Sequence, residues 1–245
     1  YIEKITTIIE DESFIKSSRS VHGSKGFTRN RKITFSHLIV LLTQALSRSI
    51  QRELNSFYQK LQRTEFSIQY VTKGAFTKAR KKLNPQAFVK LNQVGLASFY
   101  SDAPYNTWNG FRLLAIDGST AVLPKHKSIS EQFGITNFGP YADSPRSIAR
   151  ISVLYDVLNL TVLDGQIDSY DTGERELARK HLSAVDKSQD LILFDRGYPS
   201  LALMFELQTR GIQYLIRMRE DWWVGVRKLL ANNETDKVIT FTLSK

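Results

Sequence analysis

The chain has 245 residues, of which 42% are hydrophobic and 24% charged, so it can bury a sizeable core, and no apolar run is long enough for a membrane helix. It contains no cysteine, which excludes a disulfide scaffold, a cysteine-ligated zinc and a cysteine nucleophile, and fits a reducing compartment. The formal net charge of +10 sits in one part of the chain: residues 1–110 carry 17 Lys and Arg against 7 Asp and Glu, and residues 111–245 carry 17 against 17.

The first ten residues include Glu3, Lys4 and Glu10 where an apolar stretch would be needed, so no signal peptide is expected in them. The chain opens on Tyr1 rather than methionine, and we expect a piece of something longer. Over residues 13–82 there are 15 basic and 2 acidic side chains, which points to a module for a polyanion, above all nucleic acid. Arg29, Arg31 and Lys32 border a Gly- and Ser-rich stretch, His22 to Asn30, suited to a phosphate-binding arm. Residues 35–62 carry apolar side chains near a 3.6 period and read as one long helix, or two with a break at Ser47 to Ser49; Thr34 or Ser36 caps its start. Val71 to Leu83 reads as a further helix capped by Thr72, with Asn84-Pro85 ending it and starting the next. On a helical wheel Phe76, Ala79 and Leu83 share one side and Lys78, Lys81 and Lys82 the other. That is the logic of a helix-turn-helix whose basic face meets phosphates, and Lys73 and Arg80 are further DNA-binding candidates in the same segment. An ordinary solvated helix would show the same pattern.

The character changes near Phe111. An apolar run of strand length ends in Asp117-Gly-Ser, and residues 148–155 and 158–167 read as two more strands. Glu174 to Val185 reads as a helix with acids in its first turn, Leu191 to Phe194 as a buried strand ending in Asp195, Pro199 to Gln208 as a helix and Gln213 to Arg217 as a strand. Three strands followed by alternating helix and strand is a ribonuclease-H-like layout, a mixed α/β sheet. In it Asp117 ends the first strand and Asp195 the fourth, so both carboxylates project from one edge, where a hard divalent cation finds oxygen ligands for phosphodiester chemistry. Taken singly, Asp117 reads equally as a turn residue and Asp195 as a helix cap. His22, His37, His126 and His181 show no metal-ligand spacing and are read as structural or surface residues. The expected domains are a basic helical DNA-binding region, 1–105, and an incomplete ribonuclease-H-like core, 106–245.

Leu113-Leu-Ala-Ile-Asp117-Gly-Ser, Leu191-Ile-Leu-Phe-Asp195-Arg-Gly-Tyr-Pro and Gly211-Ile-Gln-Tyr-Leu-Ile-Arg-Met-Arg resemble the DDE transposases of bacterial insertion sequences, in the insertion-sequence-4 family. Ala75-Phe-Thr-Lys-Ala-Arg-Lys-Lys-Leu looks like that family's helical DNA-binding region. The resemblance implies that Asp117 and Asp195 are the first two acids of a triad binding Mg²⁺ or Mn²⁺. It implies hydrolysis at transposon ends followed by attack of the freed 3′-hydroxyl on target DNA. The implied partners are double-stranded DNA and a second copy of the chain, with no membrane, and the implied location is the bacterial cytoplasm, on the nucleoid when bound to DNA. The family's third acid lies in a Y-x2-R-x3-E-x6-K motif after a β-rich insertion. Tyr214, Arg217, Asp221 and Lys228 nearly match it, with aspartate for glutamate and only 26 residues after Asp195. Trp222-Trp223, Asn232 to Lys237 and the strand-like Val238 to Leu243 read instead as the start of the insertion. The chain is therefore expected to be an N-terminal portion that lacks the catalytic glutamate and cleaves poorly or not at all. Two alternatives stand beside it: a truncated DNA-binding protein or transposition inhibitor, and a different nuclease of the same fold using Asp117, Asp195 and Asp221. Asn137 to Ser147, with Arg146, is expected along the DNA path.

Overall fold

The computed structural model describes residues 2–20, 26–29, 31–44, 46–66, 69–102, 104–137, 145–221, 223–232 and 235–238. The chain divides into two compact units, Tyr1–Pro104 and Tyr105–Lys245. Among the described residues no helix is long and apolar enough to cross a membrane.

The first unit is built from α1 (Ile2–Glu10), α2 (Glu12–Ser17), α3 (Phe35–Thr43), α4 (Ile50–Gln62), α5 (Lys73–Arg80) and α6 (Gln86–Asp102). The periodic stretch over residues 35–62 is two helices. The Thr34 hydroxyl accepts from the His37 amide to start α3, and the chain turns extended at Gln44 and again at Ser49, the N-cap of α4. Phe14, Phe35, Leu38, Leu54, Tyr58 and Phe76 form the buried centre. The Thr72 hydroxyl caps α5 through Ala75 N–H, as expected. α5 stops at Arg80, however, three residues short of the expected Leu83. The chain there pairs with another segment: Ser20 N–H donates to the Lys82 carbonyl and Asn84 N–H to the Ser18 carbonyl, each at 2.8 Å. Those bonds compete with further helical turns, and the Asn84-Pro85 step disfavours them as well.

The second unit is a five-stranded mixed sheet in the order β3-β2-β1-β4-β5, formed by β1 (Arg112–Val122), β2 (Ile148–Asp156), β3 (Thr161–Ser169), β4 (Asp190–Phe194) and β5 (Gln213–Ile216). β1–β2 and β2–β3 are antiparallel, and β1–β4 and β4–β5 parallel. α7 (Lys127–Phe133) lies between β1 and β2, α8 (Glu174–His181) between β3 and β4, α9 (Leu201–Arg210) between β4 and β5, and α10 (Val224–Ala231) after β5. Parallel neighbours require crossovers, which α8 and α9 supply. Leu114 and Ile116 of β1 and Ile192 and Phe194 of β4 pack with Ala178 of α8 and with Leu203 and Leu207 of α9 into one core.

The second unit departs from its sequence-based expectation in β1. Asp117 does not end β1: the strand runs five residues further, with Asp117 opposite Val153 and Val122 opposite Ile148. Pairing with the long β2 keeps the Asp-Gly step extended and overrides its turn propensity. The strand expected over 238–243 falls outside the described residues apart from Val238, which is exposed and unassigned to any strand.

Candidate active site

Asp117 and Asp195 reach one place because of strand register. β1 and β4 pair in parallel from Arg112 opposite Asp190 to Ala115 opposite Leu193. The same offset sets Asp195, the first residue after β4, level with Asp117. Parity then puts both on the face opposite Leu114, Ile116, Ile192 and Phe194. Adjacent strands lie about 4.8 Å apart, so two carboxylates at one level are close enough to share a cation. The register is pinned at its other end by a bidentate pair. Arg112 Nε and Nη2 donate to the two Asp190 oxygens at 2.7 and 2.9 Å, with the Asp190 side chain fully buried.

Both catalytic candidates are exposed. Asp117 Oδ1 accepts from Gly118 N–H at 2.8 Å, and Asp195 Oδ1 from Gly197 N–H at 2.7 Å. Backbone amides thus orient each carboxylate. β2 supplies Arg150, whose Nη1 donates to Glu174 Oε1 at 2.7 Å and whose guanidinium lies 5.0 Å from the Tyr170 ring centroid. Glu174 opens α8, where a negative charge is favoured by the helix dipole. Arg175, next to it, donates to the Gly197 carbonyl at 3.1 Å and ties α8 to the loop after β4.

Two glycines hold the space between these groups. A Cβ on Gly118 would lie 3.8 Å from Glu174 Cγ and 3.4 Å from the Ile151 carbonyl oxygen. A Cβ on Gly197 would lie 3.1 Å from Asp195 Oδ1 and 4.0 Å from Glu174 Oε2. Tyr198 follows, 2% exposed, and its buried hydroxyl has no hydrogen-bond partner. Its ionisation is pushed up, first by burial and then by the negative charges of Glu174, Asp117 and Asp195, with Arg150 opposing. That hydroxyl therefore lies in the field of all three carboxylates.

This donor set fits a hard divalent cation: two exposed carboxylates at one level on adjacent strands. Among the described residues no group of three or more His, Asp or Glu side chains is already gathered to hold a metal ion. Asp221 in particular is exposed and engaged by Arg219 through bonds of 3.1 and 2.9 Å. Glu174, Arg150 and Tyr198 were not foreseen as site residues, although the acids of the α8 first turn and the Asp-Arg-Gly-Tyr run are visible in the sequence.

Another constellation has the outline of a hydrolase triad. His181 Nδ1 lies 2.7 Å from Asp164 Oδ2, and His181 Nε2 lies 3.0 Å from Ser152 Oγ. Yet Ser152 is 2% exposed and His181 fully buried, so no substrate reaches the serine. The chain of bonds ties α8 to β2 and β3, a structural role. His37 sits beside Tyr58 and His126 caps α7, while His22 lies outside the described residues.

In the first unit Arg31, Lys32, Lys78 and Lys82 line a cleft of about 560 Å³ together with Tyr70 and Thr72. Arg29 and Arg31 line a neighbouring cleft with Lys82. Lys32 Nζ stands 4.7 Å from the Tyr70 ring centroid. Lys73 and Lys81 are exposed but line neither cleft, and Arg80 stacks on Phe76 at 5.8 Å. Most of the His22–Asn30 arm lies outside the described residues, as does 138–144 of the stretch Asn137 to Ser147; Arg146, within that stretch, forms an isolated antiparallel bridge with Thr136.

A family model described as the transposase DDE domain matches residues 108–239. No curated protein matches the chain. Among solved structures the chain is similar to a piggyBac transposase synaptic complex with hairpin DNA, at 12% identity and a TM-score of 0.47 over 96% of this chain and 54% of that one. It is also similar to a Mos1 transposase paired-end complex with the left transposon end, at 13% identity and a TM-score of 0.28 over 86% of this chain and 74% of that one. The chain thus spans about half the length of the piggyBac transposase chain it matches.

Proposed function

The chain belongs to the transposase DDE domain family, and on that premise we propose that it acts in DNA transposition, by metal-dependent cleavage at transposon ends and strand transfer to target DNA. The observation that carries the reading is the β1–β4 register, which sets Asp117 level with Asp195. The strand order and the mix of parallel and antiparallel pairs support a ribonuclease-H-like core. Asp117 and Asp195 would hold Mg²⁺ or Mn²⁺. When bound, such an ion activates an attacking oxygen and stabilises a leaving one. The chain's own residues do the rest: Gly118 and Gly197 amides aim the carboxylates, and the Arg112–Asp190 pair fixes the strands that carry them. In the first unit, Arg29, Lys32, Lys73, Lys78, Arg80, Lys81 and Lys82 would neutralise DNA phosphates, with the clefts beside Lys32, Lys78 and Lys82 meeting the backbone first. A homodimer on paired ends, on nucleoid DNA in the cytoplasm, is the setting we propose for it.

A second reading is favoured by one observation, the absence of a three-carboxylate group among the described residues. On it the chain binds DNA, as a truncated binder or inhibitor, without cutting. The test of the first reading is Mn²⁺ binding measured from the free-ion electron paramagnetic resonance signal. Binding is expected in the unaltered chain and not in Asp117→Asn or Asp195→Asn; equal binding in all three would refute it. Mn²⁺-dependent nicking of supercoiled DNA then separates cleavage from binding alone.

A further inference from the structure

We propose that α4 reads base sequence, its outer face entering the major groove of DNA while the cleft lysines hold phosphates. The inference rests on the reading of the first unit as a DNA-binding module and adds a helix that this reading does not use. Leu54 and Tyr58 are buried on the core side of α4, and Ile50 and Phe57 pack against the same core. Arg52, Asn55, Ser56 and Gln59 follow one another at helical spacing on the opposite side, and Arg63 closes the row at the C-cap. Arg48, just before the helix, joins Arg52, Asn55, Ser56 and Gln59 in lining a shallow cleft of about 240 Å³. The row holds no acid. Glu53, in the first turn, turns aside to accept the Ser47 and Arg48 amides at 3.2 and 2.8 Å. An ordinary solvated face intersperses charges of both signs. A row of Arg, Asn, Ser and Gln is instead the set that pairs with base edges: Arg with guanine, Asn and Gln with adenine, Ser with either.

Two of these side chains are held in place by the protein itself. Gln51 Nε2 donates to Asn55 Oδ1 and to the Val71 carbonyl, each at 2.9 Å, and Gln59 Nε2 donates to the Glu65 carbonyl at 3.1 Å. After these bonds Asn55 retains its Nδ2 donors and one Oδ1 lone pair, and Gln59 retains Oε1 and one N–H, which is what pairing with adenine N6 and N7 requires. Side chains ordered in advance lose less freedom on binding. Gln51 Oε1 also accepts the Lys73 amide at 2.9 Å, which seats the start of α5 beside α4. Lys73, exposed and lining neither lysine cleft, is placed to take a phosphate at the groove edge. From Arg52 to Arg63 the row is roughly 16 Å long, or about five base pairs, and the major groove is wide enough to admit a helix. The 15 basic and 2 acidic side chains over residues 13–82 supply the complementary charge.

The experiment is selection from a pool of short random-sequence DNA duplexes by the full chain, as the unaltered protein, Arg52→Lys, Asn55→Ala and Lys78→Ala/Lys82→Ala. Affinities are then measured for the enriched duplex and for the unselected pool. The unaltered chain is expected to enrich one motif. Arg52→Lys keeps the charge but loses the planar fork, so it should bind the unselected pool as before while its preference for the enriched duplex falls about tenfold, at one base pair. Asn55→Ala should relax a different base pair of the motif by a similar factor. Lys78→Ala/Lys82→Ala should weaken binding of both duplexes and leave the motif intact. Circular dichroism melting establishes that each variant folds; Arg52→Lys changes an exposed side chain and keeps the test valid if Asn55→Ala, which loses its bond from Gln51, does not fold. If Arg52→Lys and Asn55→Ala select the same motif with the same preference as the unaltered chain, α4 does not read the bases and the inference is overturned. Binding by the unaltered chain without any enriched motif overturns it as well. If the unaltered chain binds no duplex, the underlying reading of the first unit fails too.

Discussion

Replacing Asp190 by alanine should damage the site from the far end of the strands. Asp190 is fully buried and accepts both Arg112 nitrogens, at 2.7 and 2.9 Å, and also the Asp186 amide at 2.7 Å. Removing it strips a guanidinium that is only 13% exposed of this bidentate partner, and a backbone amide of that acceptor. Breaking a buried pair from one side costs about 3–5 kcal/mol. At roughly 3–4 °C per kcal/mol for a unit of this size, the melting transition of the second unit should fall by about 10–20 °C. Differential scanning calorimetry at neutral pH measures it. Because the same pair sets β1 against β4, Mn²⁺ binding at Asp117 and Asp195 should weaken as well. In the double variant Arg112→Met/Asp190→Leu, where both charges are gone, much of the stability should return, since an apolar pair avoids the desolvation cost. A fall of less than about 3 °C in Asp190→Ala, with metal binding intact, would refute the claim that this pair fixes the register.

Three further outcomes are expected. Gly197→Ala places a Cβ 3.1 Å from Asp195 Oδ1, so Mn²⁺ binding should weaken while the melting temperature changes little; unaltered binding would show that the glycine is not needed there. In Lys78→Ala/Lys82→Ala the log–log salt dependence of DNA binding should flatten by roughly 1.8, about 0.9 for each phosphate that is no longer neutralised, and an unchanged slope would remove the cleft from the DNA interface. Burial raises the ionisation of Tyr198, and an unfolded phenol deprotonates first as pH passes about 10, so above that pH the unfolded state holds fewer protons and stability falls. Tyr58, pushed up to about 12 by burial, has the same effect in the first unit. Denaturant midpoints between about pH 9 and 11 should therefore drop less steeply in Tyr198→Phe than in the unaltered chain; identical slopes would contradict it.

Much of the second unit was legible because its strands are short apolar runs closed by turn residues. Leu191 to Phe194 and Gln213 to Arg217 agree with β4 and β5 to within a residue. The true length of β1 was hidden, since Asp117-Gly118 signals a turn locally and only the pairing with β2 overrules it. The end of α5 was hidden for a similar reason: residues 18–20, distant in sequence, take the backbone bonds of residues 82 and 84. Asp117 and Asp195 stood out because each follows a short apolar run in the sequence. Glu174 looked like a helix-start acid, and the reach of its side chain to Gly118 and Gly197 exists only once α8 is laid against the sheet. Tyr198 was visible as a letter in a motif, but its solitary buried hydroxyl is a property of packing.

The central claim is that Asp117 and Asp195 hold one cation site. Loading the protein with Fe²⁺ in place of Mg²⁺ and adding ascorbate and peroxide cuts the backbone beside the bound ion. Cuts are expected near residues 117 and 195, and they should vanish in Asp117→Asn. Cuts elsewhere in the chain, or the same cuts in Asp117→Asn, would contradict the assignment.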